Sequence, residues 1–151
     1  MAGKWLIDVT DERFDIPPNA DVLDFIRRVN PFAHSDVGSL LIDLGKRVEG
    51  AHAYSPSYAQ CAYVVLHTEA LKIVAIAFGQ SGLAFRLPPV SRAAALEDGG
   101  GAATEIGSDW VLFNPWDPGV TRERMDTRLR RWCREAFAAP PRTAQGDREI
   151  D

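Results

Sequence analysis

Apolar residues along this chain recur first at helical spacing, then in alternation, then at helical spacing again, and each change of period marks a change of element. Before the first helix a short alternating stretch, KWLIDV, places Trp5, Ile7 and Val9 on one side and predicts a strand over 4–9. The polar run TDERFDIPPN ends it. Asn19 is suited to cap a helix whose stripe is Val22, Phe25, Ile26 and Val29, with Asp21 and Asp24 at its start, Arg27 and Arg28 at its end, and Pro31 as the stop. A second helix is predicted from Ser35 or Asp36, with Val37, Leu40, Leu41, Leu44 and Val48 as its stripe and Gly50 closing it. Gly38 and Gly45 inside it each cost about 1 kcal/mol relative to Ala, and close packing on a neighbour is a reason to tolerate them.

From Tyr58 the period becomes two. QCAYVVLH, LKIVAIAF and GLAFRL read as strands joined by HTEA and GQSG. Parallel neighbours need a crossover of about a dozen residues or more, so these short connections predict an antiparallel meander. LKIVAIAF is almost continuously apolar, as in a central strand covered on both faces or one with a lightly masked outer face. A short helix at SRAAALED, with Ser91 as its cap, leads through the flexible connector GGGAA to the strand DWVLFN. After the loop NPWDPG, Thr121 caps a last helix whose buried stripe is Met125, Leu129, Trp132, Cys133 and Ala136. PRTAQGDREID has no apolar pattern, which predicts a disordered tail over 140–151 behind a single domain over 1–139.

These elements make an α+β domain: an antiparallel sheet of four to five strands with helices packed on it. The expected inward face is Ile73 or Val74, Leu83, Phe85, Trp110 and Leu112, meeting Leu40, Leu44, Leu129 and Trp132. The 151 residues suffice for a real core, and a net charge of −4 argues against a whole-molecule electrostatic grip on nucleic acid. With no span-length apolar run and no secretory pattern at the N-terminus, no membrane partner and a cytoplasmic location are expected.

The chemistry is mostly one of missing constellations. GQSG joins strand to strand, whereas a phosphate-cradling loop leads from a strand into a helix N-terminus, so it reads as a hairpin turn. His34, His52 and His67 have no partner at metal-ligand spacing, Cys61 and Cys133 read as buried thiols, and no nucleophile elbow is present. No catalytic residue, metal or cofactor is therefore assigned. Candidate ligand-binding residues are His52, Tyr54 and Tyr58 in HAYSPSY, Arg86 in the third meander strand, and Trp116 and Asp117 in NPWDPG. Each has a plainer alternative: a connector with half-buried rings, a solvated arginine, a tryptophan folded over a helix end. Candidate nucleic-acid contacts are Arg124, Arg128, Arg130, Arg131 and Arg134 on the last helix, against the alternative of a solvated face held by pairs such as Asp126–Arg130.

In the second half of this chain, the succession GLAFRLPP, SRAAALEDGG, DWVLFNPW and ERMDTRLRRWCREAFAAPP resembles the YjbR/MmcQ-like family of small bacterial proteins, and more distantly the N-terminal domain of TfoX. It spans roughly residues 70–142. The resemblance implies a frataxin/CyaY-like arrangement and, by analogy of fold alone, DNA binding through Arg86 and the arginines of the last helix. The reading that leads is a non-enzymatic binding or interaction module. Self-association as a homodimer through an exposed apolar sheet face is its expected partner mode. Weak nucleic-acid binding and a small-molecule or enzymatic His/Tyr/Arg pocket are the alternatives.

Overall fold

In the computed structural model, which describes residues 12–56 and 62–138, the apolar run LKIVAIAF lies in the middle of the sheet. The strand expected over 4–9, Tyr58, Cys61 and the tail from 140 lie outside the described residues. The strands are β1 (His52–Tyr54), β2 (Val64–His67), β3 (Ile73–Phe78), β4 (Gly82–Arg86), β5 (Gly101–Ala102) and β6 (Trp110–Phe113). They form one six-stranded sheet in the order β1-β2-β3-β4-β6-β5, and every neighbouring pair is antiparallel. The β2–β3–β4 meander is as the short connections require. GQSG is the hairpin turn between β3 and β4, with Phe78 opposite Gly82 and Gly79 at φ +67, a left-handed conformation that suits glycine. Two short strands exceed the expectation. β1 comes from the start of HAYSPSY and β5 from GGGAA, segments read as connectors because they carry no alternating apolar pattern; in the structure their residues are largely exposed.

Among the described residues four α-helices cover the sheet: α1 (Ala20–Val29), α2 (Ser35–Gly45), α3 (Pro89–Glu97) and α4 (Arg122–Ala138). Their apolar stripes hold them there. α1 buries Val22, Leu23, Phe25 and Ile26 and, with Phe14, packs over Val65, Ile76, Ala84 and Trp110. Val29, expected in that stripe, is 46% exposed, and Leu23 takes its place. On the opposite face α2 contributes Val37, Leu41 and Leu44, and α4 contributes Met125, Leu129, Trp132, Cys133 and Ala136, against Leu66, Ala75, Leu83, Phe85, Val111 and Phe113. Fully burying one such Leu or Phe contributes about 1.5–3 kcal/mol.

Both faces are thus covered, which corrects the expected inward face. Ile73 packs toward α1 and Val74 toward α2 and α4. The register Arg86↔Trp110 and Phe85↔Val111 puts Val111 and Phe113 beneath α2 and α4, and sends Trp110 and Leu112 to the α1 side. WVLF is apolar throughout, so its pattern carried no phase. Helices thus pack on both faces of the sheet among the described residues.

Local signals fared unevenly. Thr121 Oγ1 accepts from Arg124 N at 3.2 Å, as a capping side chain should. Asn19 precedes α1 but does not cap it; its side chain turns into the core. Ser91 lies inside α3, which starts at Pro89, and donates to Glu135 Oε1 at 2.8 Å, linking α3 to α4. α2 ends at Gly45, before a turn that closes at Gly50 with φ +84. Gly38 and Gly45 face β2: a Cβ at Gly45 would sit 2.7 Å from Leu66 Cδ2, and one at Gly38 3.2 Å from Val64 Cγ2. Close approach is the reason for both.

Candidate functional site

The candidate ligand-binding residues among those described go to three separate places. His52 and Tyr54 lie on the edge strand β1. The His52 ring stacks on His67 at 5.4 Å between centroids, and Tyr54 packs against Phe14 at 5.0 Å. Arg86 ends the inner strand β4 and is not solvated: its side chain is only 11% exposed. Its Nη2 donates to Asp21 Oδ1 at 2.7 Å, its Nε to the Ile73 carbonyl at 3.1 Å, and its guanidinium lies 4.7 Å from the Trp110 ring centroid. Trp110 Nε1 donates to the other Asp21 oxygen, Oδ2, at 3.0 Å. Asp21 in the first turn of α1 thereby ties helix to sheet, and Arg86 is occupied as a structural cation. It is not among the residues that line the cleft at the NPWDPG loop.

Trp116 and Asp117 do line one. A cleft of 690 Å³ lies between α2, the loop after β6 and the N-terminal half of α4. Leu40, Val120, Met125 and Leu129 supply its apolar lining, and the last two are buried at its base. Pro115 and Trp116 belong to its wall, and Asp117, Arg122, Glu123 and Asp126 bring charge to it. Trp116 is 45% exposed, yet it is not loose. Its Nε1 donates to the Gln80 carbonyl at 2.9 Å, and its backbone N–H donates to Asn114 Oδ1 at 2.9 Å. Asp117 Oδ1 in turn accepts from Gly119 N at 2.9 Å. The loop therefore holds an open indole face in a fixed position.

The arginines of α4 are largely engaged within the molecule. Arg128 is paired with Asp98 at 3.4 Å with only 12% of its side chain exposed, and Asp98 also accepts from Trp132 Nε1 at 2.9 Å. Arg130 pairs with Asp126 at 2.9 Å, and Arg131 lies 4.3 Å from the Trp132 ring centroid. Arg124, Arg128 and Arg131 line a shallow trough together with Asp98 and Glu123. Arg134 is exposed on the same helix. Acids are interleaved all along this face.

Among the described residues no group of three His, Cys, Asp or Glu side chains comes together as metal ligands. Cys133 is buried, and burial pushes its thiol up to about 12, so it stays protonated and unreactive near neutrality. No helix among the described residues is long and apolar enough to cross a membrane. No family model, curated protein or solved structure matches the chain.

Sequence reasoning missed the cleft's lining. Leu40, Met125 and Leu129 were placed in helical stripes, and a stripe does not say where it runs past the edge of the core. The one available signal was a tryptophan in a proline-bracketed loop that leads into an amphipathic helix. Asp21, Asp98 and Asp109 were also missed as partners of Arg86, Arg128 and Arg92.

Proposed function

We propose that this protein is a non-enzymatic binding module and that it binds through the cleft at Trp116. The observation that carries this reading is the pinned, half-exposed indole beside an apolar depression of 690 Å³, a volume within the range of about 300–1,000 Å³ common to small-ligand sites. The rigid loop adds to it, because a wall already in place costs little ordering on binding. The engagement of Arg128 and Arg130 with Asp98 and Asp126 favours the cleft over nucleic-acid binding by α4. The order β3, β4, α3, β5, β6, α4 is compatible with the resemblance to the YjbR/MmcQ-like family, with the two-residue β5 in its glycine-rich loop, and that kinship is part of the proposal. A titration with phenylpropanol, an apolar neutral probe, tests the site by NMR. Shifts should centre on Trp116, Leu40, Val120 and Met125, and Trp116→Ala should weaken binding about tenfold, as expected for losing one large aromatic contact. Shifts centred elsewhere, or binding indifferent to Trp116→Ala, would overturn the reading.

A further inference from the structure

The charges around the cleft say more than its shape. Asp117, Glu123 and Asp126 line it against Arg122, and Arg130 offsets Asp126 through their pair at 2.9 Å. Glu123 also borders the trough of Arg124, Arg128 and Arg131, whereas Asp117 directly follows the exposed indole in the loop and lies outside that trough. Asp117 and Glu123 make no ion pair among the described residues, and both are exposed to solvent. An aromatic face next to an unneutralised carboxylate is a setting that attracts a cation: the ring quadrupole and the carboxylate act on it together. The apolar lining formed by Leu40, Val120, Met125 and Leu129 wants a hydrocarbon body.

Building on the cleft reading, we propose that the ligand is a small organic monocation, an apolar body carrying one ammonium or guanidinium group. The body lies on Met125 and Leu129, and the charged head sits between the Trp116 ring and the Glu123 and Asp117 carboxylates. Anionic amphiphiles are disfavoured there, since their head would meet the Asp117 carboxylate beside the indole.

Three probes of matched body separate head-group chemistry from simple hydrophobicity: phenylpropylammonium, phenylpropanol and phenylpropanoate. Binding is read from the Trp116 indole N–H resonance, identified by its absence in Trp116→Phe. The ammonium should bind about tenfold more tightly than the alcohol at low salt, and the carboxylate more weakly than both. Raising the salt to about 0.5 M should narrow the gap. Glu123→Gln with Asp117→Asn, two exposed changes that keep the Asp117 acceptor for Gly119 N, should bring the ammonium to within about twofold of the alcohol. Equal affinity for ammonium and alcohol, or tighter binding of the carboxylate, would overturn the cation proposal and leave the cleft standing as a binding site. No response of Trp116 to any of the three would overturn both.

Discussion

Asn19 shows how much one side chain can hold. It is fully buried, and both of its side-chain polar atoms bond to backbone. Its Nδ2 donates to the carbonyls of Phe14 at 2.8 Å and Leu71 at 2.9 Å, and its Oδ1 accepts from Ile73 N at 2.8 Å. The side chain thus fastens the turn before α1 to the start of β3, beside Leu71, which stands at φ +71. Asn19→Asp keeps the shape but aims a carboxylate at two carbonyl oxygens. It should destabilise the fold by about 3 kcal/mol in urea unfolding at neutral pH, the cost of an unsatisfied buried charge-bearing group. The sequence offered Asn19 only as a helix cap, because capping is a local pattern whereas Leu71 and Ile73 lie more than fifty residues away. Arg86 was opaque for the same reason: its partner Asp21 is 65 residues distant, and Trp110 joins Asp21 across 89. An arginine alternating with Leu83, Phe85 and Leu87 says which face it takes, not what covers that face.

Elements were legible where one face is apolar and the other wet. α1, α2 and α4 follow their stripes closely, and α4 buries the five residues its spacing predicts. Strands β3 and β6 were legible as strands but not in phase, since a sheet covered on both sides has apolar residues at both parities. β1 and β5 owe their place to backbone pairing at the sheet's edges and have no side-chain signature. The glycines of α2 were the most informative local anomaly. At Gly45 the gain of about 1 kcal/mol from adding a Cβ to a helix competes with a 2.7 Å approach to Leu66, itself only 1% exposed and unable to move freely. Gly45→Ala should therefore destabilise by about 1–2 kcal/mol in thermal or urea unfolding, and Leu66→Val in the same chain should recover part of the loss.

At the scale of the whole molecule, stability should depend on pH through the β1–β2 edge. His67 is held below its usual value of 6.5, first by desolvation and then by the neighbouring His52 and Arg13, while its bond to the Thr68 carbonyl works the other way. Between 6.5 and that lower value the unfolded chain takes up a proton that the folded chain refuses. This contribution is present in full above pH 6.5 and is lost as the pH falls through that window. His67→Gln should flatten the corresponding part of the stability profile measured by urea unfolding between about pH 5 and pH 7.

Met125 and Leu129 belong to two things at once: they close the core over Phe85 and Phe113, and they form the base of the cleft. Whatever fills that depression must press on the same helix whose docking completes the fold. Occupancy and resistance to heat are then linked quantities, and a saturating compound present at a hundred times its dissociation constant would add about 2.7 kcal/mol to unfolding. A melting curve recorded across a compound collection would consequently report on the native ligand without any knowledge of the biological process it serves.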